Sequence, residues 1–313
     1  MPEEPTAIVA GPVDVPRLPT GILTLDLALD GGLPWGNIVE IGGKPHSGKT
    51  TLTLQILGQA QRAGATAMYI GGASLPPTRY LAACGVDAEA LYIPNAADTT
   101  CLEAALKVAV QALAGGNTVV ALDPLPAFPG RDEWEVGMEN GNRQKIRAQA
   151  LDVAYALASA HLRRRPDGLL LIVNQERYNT GVLFGNPWEP TVHEVTDHFP
   201  VRLDLARIQA IKWEGRIIGS RSRVRIKKHA GGTPFREAEF DILTHRGPDL
   251  WANVLDLALI YDVIVRENGN YLLDGKPVGR TRAEVKATLA ARYRDYRRLI
   301  EHLQLPQLLR QTT

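Results

Sequence analysis

Short apolar runs alternate with stretches of helical period through roughly the first 175 residues. "NIVEI", "TAMYI", "TVVAL" and "LLLIV" are apolar at consecutive positions, not at every second one. That is the pattern of strands covered on both faces, and with helices between them it predicts a parallel sheet with crossover connections. Between the first two runs lies "KTTLTLQILGQAQRAG", where Leu52, Ile56, Leu57 and Ala60 share one helical face and Gly64 supplies a stop. The local order is strand, glycine loop, helix.

From residue 201 the texture changes to polar–apolar alternation in "RLDLARIQAIKW", "SRVRIKKH" and "REAEFDIL", which predicts antiparallel strands added to the sheet edge. After "THRGPDL" come a helical run, a "GNYLLDGKPVG" hairpin and the arginine-rich helix "RAEVKATLAARYRDYRRLIEHL". The expected fold class is α/β, a mostly parallel twisted sheet with flanking helices and antiparallel edge strands, plus a small α+β C-terminal domain. Residues 1–16 are expected to form a flexible proline-rich leader, 17–247 the core and 248–313 the small domain.

Composition changes little in this picture. At 313 residues and 45% hydrophobic, the chain has material for one large core and a smaller unit. Thirty-five Lys and Arg against 34 Asp and Glu leave a formal charge of +1, so a nucleic-acid role must rest on local clustering. The two cysteines, Cys84 and Cys101, have neither CxxC spacing nor the density of a disulfide scaffold. With no signal-peptide pattern and no unbroken apolar span, the expected location is cytoplasmic, away from any membrane.

The candidate chemistry begins at "GKPHSGKTT", which satisfies G-x-x-x-x-G-K-[ST] through Gly43, Gly48, Lys49 and Thr50. Glycines let backbone N–H groups wrap phosphates, Lys49 neutralises the outer ones, and the Thr50 hydroxyl joins a Mg²⁺ shell. Lys44, Pro45, His46, Ser47 and Thr51 complete the cradle. Asp123, closing "TVVALD", is the expected partner of the metal and its water. Asn174 and Gln175 follow "LLLIV" as either phosphate-sensing amides or an ordinary strand cap.

With these residues in place, "TGILTLDLALDGGLPWGNIVEIGGKPHSGKTTLTLQILGQAQRAG", "LLLIVNQERYNTGVLFGNP" and "TPFREAEFDIL" resemble the bacterial RecA recombinases. The resemblance runs with gaps from about Leu18 to near residue 300, and "GVLFGNP" after the "NQ" strand end is its most specific element. It implies a RecA-like ATPase core that uses ATP and Mg²⁺ and binds single-stranded DNA and homologous duplex DNA. By similarity Tyr80 stacks on the adenine, Gln175 senses the terminal phosphate, and Lys228 reaches a neighbouring subunit's nucleotide. Glu176 to about Phe199 resembles the second DNA-binding loop, with Arg177, Gly181, Phe184, Gly185 and Asn186 as DNA contacts, and a first loop would fall near 130–147. Arg207, Arg221, Arg223, Arg225, Lys227 and Lys228 are expected to form either a basic face for a second DNA strand or a solvated run of charge.

Several positions depart from the family pattern. The glutamate that orients the attacking water is replaced by Ala73, an acid two positions earlier by Gly71, and a small hydroxyl residue after the metal carboxylate by Pro124. Alanine cannot act as a base, and whether another carboxylate, with Glu133 and Glu135 as candidates, replaces the missing glutamate stays open at the level of sequence. The amino-terminal stretch carries Pro2, Pro5, Pro12, Pro16 and Pro19 where the family polymerises through a helix. His193 and His198 bracket Glu194 and Asp197 at a spacing that matches no standard metal set. Two expectations follow: a recombinase with weak hydrolysis that self-associates on DNA, or a hydrolysis-deficient module that loads, caps or regulates the filament of a host recombinase.

Overall fold

The computed structural model describes residues 15–72, 75–131, 143–178, 188–190, 199–293 and 299–300. Its centre is a nine-stranded sheet built from β1 (Asn37–Gly43), β2 (Thr66–Gly71), β3 (Leu91–Tyr92), β4 (Thr118–Asp123), β5 (Leu169–Val173), β6 (Val201–Trp213), β7 (Arg216–His229), β8 (Glu237–Leu243) and β9 (Gly247–Pro248). The spatial order is β9-β8-β7-β6-β1-β5-β4-β2-β3. β1 to β5 are mutually parallel, and every residue of β4 and β5 is buried.

Both faces are covered because successive side chains leave the strands in opposite directions. Val39, Ile41, Val119, Ala121, Leu169 and Leu171 pack with α2 (Lys49–Arg62), which follows α1 (Leu23–Ala28). Their alternates Ile38, Val120, Leu122, Leu170 and Ile172 pack on the other side with Leu106, Ala109, Leu151 and Ala158. Those four belong to α4 (Leu102–Ala114) and α5 (Arg143–Arg164), while the short α3 (Thr78–Ala83) precedes them in the chain. Consecutive apolar residues are thus what a two-sided sheet demands.

The polar–apolar strands differ from expectation in one respect. β6 runs parallel to β1, with Val201 opposite Val39 and Leu205 opposite Gly43, and antiparallel pairing begins only where β7 pairs with β6, continuing from β7 to β8 and from β8 to β9. Its first five residues extend the central sheet and alternate buried with half-buried; from Ala206 to Gln209 the strand is exposed. One strand therefore does two jobs.

Beyond Pro248, α6 (Leu250–Ile260), a three-stranded sheet of β10 (Ile264–Glu267), β11 (Asn270–Leu273) and β12 (Lys276–Gly279), and α7 (Arg282–Tyr293) gather a cluster of their own around Leu255, Leu257, Leu273 and Leu289. Leu23 and Leu27 of α1 pack against it. Cys84 and Cys101 are buried free thiols, and burial pushes Cys84 up to about 12, which makes it an inert core group. Among the described residues no helix is long and apolar enough to cross a membrane.

Asp26 in α1 is the unusual buried acid. The Thr20 N–H and hydroxyl both donate to its Oδ1 at 2.6 Å, and the Gly21 N–H donates to its Oδ2 at 3.2 Å. Burial outweighs these bonds and raises the carboxyl from 3.8 to about 7. An acid raised in the folded state binds protons that the unfolded chain has already released, so its stabilising contribution is full below 3.8 and is lost as pH rises through about 7. Urea midpoints are expected to fall across that window, and Asp26→Asn to flatten the slope. An identical slope in the variant would place the titration elsewhere.

Candidate nucleotide-binding site

The phosphate-loop motif occupies the turn from β1 into α2. Gly43 ends the strand at φ +135°, His46 adopts φ +60°, and Gly48 caps the helix at φ +100°. Lys44, Pro45 and His46 are exposed, while Ser47 and Lys49 are buried. The Lys49 ammonium donates to the carbonyls of Gly43 (2.9 Å) and Lys44 (2.7 Å). Burial lowers its proton affinity, and the charges of Asp123, Glu176 and Asp204 resist that shift. Ser47 Oγ is buried with no hydrogen-bond partner among the described residues. The loop thus holds an enclosed cation and a donor left open, the provisions that an anionic ligand satisfies.

Asp123 sits at the carboxyl end of β4, only 2% exposed. Burial raises its proton affinity, while the Thr50 and Tyr69 hydroxyls, the latter donating at 3.2 Å, and the Lys49 charge lower it. A hydroxyl and a buried carboxylate are hard oxygen donors that suit Mg²⁺. The cleft over this pair has a volume of about 480 Å³, within the range of small-ligand sites, and Gln175 closes one side of it. On α3 the Tyr80 hydroxyl lies 2.6 Å from Thr51 Oγ1, which ties that ring to the start of α2. The structure therefore brings together Gly43 to Thr51, Tyr80, Asp123 and Gln175.

Other expected residues lie elsewhere. Ala73 is outside the described residues, although Gly72 just before it donates its N–H to the Asp123 carbonyl at 3.1 Å, so β2 ends beside the carboxylate. Gly181, Phe184, Gly185 and Asn186 are also outside them, as are Glu133, Glu135, His193, Glu194, Asp197 and His198. Arg177 lies on a short strand, Glu176–Tyr178, paired with Trp188–Pro190. Lys228 is exposed on β7 opposite Arg202, and Arg207 is exposed on β6.

The basic run is far from bare. Arg221 pairs with Glu239 (2.9 Å), Asp241 (3.5 Å) and Asp256 (2.8 Å), Arg223 with Glu237 and Glu239, Arg225 with Glu237 (2.6 Å), and Lys227 with Asp204 (3.0 Å). Much of the positive charge of this run is matched by acids from β8 and its neighbours.

Three features escaped the sequence reading. Glu40, 4% exposed in β1, accepts from Asn174 Nδ2 (2.9 Å) and Arg202 Nε (2.7 Å), which clamps β1 to β6 beneath the loop. A lone acid inside the apolar run "NIVEI" was the available signal. Glu176 is a half-buried carboxylate whose charge acts on Lys44 and Lys49. Ser220 and Ile242 line the cleft from β7 and β8, a proximity that no local pattern encodes.

Strand, glycine loop and helix, with a buried aspartate at the end of a parallel strand one place removed across β5, place the chain in the phosphate-loop class of α/β folds. The family model of the RecA N-terminal domain matches residues 9–249. Protein RecA of Methylococcus capsulatus is 34% identical over 284 residues, covering 90% of this chain and 80% of that protein. The chain belongs to the RecA family, DNA recombination and repair proteins that use ATP with Mg²⁺.

Proposed function

We propose that this protein binds ATP and Mg²⁺ in the cleft over Lys49, Thr50 and Asp123, and in that state holds single-stranded DNA and promotes its pairing and exchange with homologous duplex DNA. The observation that carries the reading is the enclosed ammonium of Lys49, held by two backbone carbonyls and within the electrostatic reach of the buried Asp123 carboxylate, with which it lines one cleft. Thr50 and Asp123 would hold Mg²⁺, which would supply charge neutralisation for the phosphates. Lys49 and the loop N–H groups orient the phosphates, Tyr80 offers its ring beside Thr51, and Gln175 links the cleft to the segment that begins at Glu176. Arg177, Gly181, Phe184, Gly185 and Asn186 in that segment, with Arg207, Arg223 and Arg225, are the proposed DNA contacts. Lys228 is proposed to reach a neighbouring subunit's nucleotide, and residues 248–313 to form an appended domain.

Turnover is proposed to be slow because Ala73 cannot orient water. ATP turnover with and without single-stranded DNA, measured for the natural protein and Ala73→Glu, tests this. The variant is expected to be faster by ~10²-fold, the lower range for a restored acid–base group. A natural rate that is already fast and indifferent to Ala73→Glu would show that another carboxylate serves, and the slow-turnover reading would fall.

Ala73 also favours a second reading, a module that loads, caps or regulates a recombinase filament. The two part on self-association: nucleotide-dependent filaments of the purified protein on single-stranded DNA, seen by negative-stain microscopy, support the first, and end-bound or monomeric complexes the second.

A further inference from the structure

β6 and β7 extend beyond the rest of the sheet. β1 pairs with β6 only over Val201–Leu205, and β8 pairs with β7 only from Gly219 onward, so among the described residues Lys212 to Ile217 have no other strand beside them. The hairpin closes through Glu214 and Gly215, both at positive φ (47° and 78°), with Trp213 opposite Arg216. Trp213 is 56% exposed and Ile217 61%. With Ile218, Leu243 and Arg246 they line a depression of about 490 Å³.

The charge around this tip differs from the charge further down the hairpin. Arg221, Arg223, Arg225 and Lys227 are matched by acids. Lys212, Arg216 and Arg246 are exposed and make no ion pair among the described residues, and Glu214 is the acid of the turn itself. An indole displayed in water beside unmatched cations is costly as decoration and well suited to one ligand chemistry. Unpaired bases stack on the ring while the cations meet the phosphates that link them. Duplex DNA offers phosphates but hides its base faces, and the same surface of a second copy would bring like charges together.

We propose that the β6–β7 hairpin tip is a contact for single-stranded DNA, with Trp213 as a base-stacking platform and Lys212, Arg216 and Arg246 as its phosphate partners. The proposal rests on the DNA-binding reading above and adds a site to it. The test is fluorescence anisotropy of a labelled oligothymidylate against the full chain at several salt concentrations. Trp213→Ala is expected to weaken binding about tenfold, the size of one base–aromatic stack, and Trp213→Phe to retain most of the affinity. Lys212→Ala/Arg216→Ala is expected to reduce the steepness of log affinity against log salt by ~1.4, two single-strand phosphate contacts. If the natural protein binds the oligonucleotide and none of these variants changes affinity or salt dependence, the tip proposal is overturned and the DNA reading stands. A Trp213→Ala variant altered in sedimentation but not in DNA affinity would make the tip a contact between copies, which also overturns it. Failure of the natural protein to bind the oligonucleotide defeats both.

Discussion

Lys49→Ala is expected to weaken MgATP binding by ~10²-fold or more by titration calorimetry, because truncating one partner of a desolvated charged contact costs roughly 2–5 kcal/mol. Lys49 is 7% exposed, and its ammonium has exchanged water for the carbonyls of Gly43 and Lys44. Two neutral acceptors do not compensate a buried cation, and Asp123, Glu176 and Asp204 supply only part of the missing anion. Phosphate oxygens would supply the rest. The same reasoning fixes the sign of the control: the alanine variant removes a buried charge, so its thermal midpoint without nucleotide should be equal or higher. An unchanged MgATP affinity would remove the cleft from consideration.

Arg202→Met is expected to lower unfolding stability by about 3–5 kcal/mol, the cost of leaving a buried charge without its partner. Arg202 Nε meets Glu40 Oε2 at 2.7 Å, with the two side chains 17% and 5% exposed, and the two residues are register partners on parallel strands. Methionine preserves the apolar stem but leaves the carboxylate, three residues before the phosphate loop, without its counter-charge and with the neutral Asn174 amide as donor. Urea denaturation would show the loss in the midpoint, and the double variant Arg202→Met/Glu40→Leu should recover a good part of it, because an apolar pair needs no counter-charge. A loss below about 1 kcal/mol for the single variant would mean that the pair behaves as a surface bridge.

The four central strands were readable in the sequence because burial on two faces leaves an unbroken apolar run, as "LLLIV" shows in β5. The loop and Asp123 were readable because their chemistry lies in contiguous residues. What could not be read depends on register. Arg221, Arg223 and Arg225 recur at every second position, and so do Glu237, Glu239 and Asp241, yet only the alignment of β7 with β8 puts one row against the other. The parallel course of β6 was hidden for a related reason: its alternation is the same whichever direction its neighbour runs. The orphaned indole of Trp213 emerges only once the ends of β1 and β8 show where the sheet stops.

Gly43 answers to a neighbouring strand as much as to any ligand. A Cβ there would stand 2.2 Å from the Leu205 carbonyl oxygen, in backbone that β6 pairing holds fixed, and φ of +135° strains any other residue. A descendant that abandoned nucleotides would still be held to glycine at this position by the sheet alone. Lysine at 49 has no such tether, since its enclosure costs the fold stability when no anion arrives. Among relatives of this chain, persistence of the glycine is therefore weak testimony for binding, and persistence of the lysine is strong.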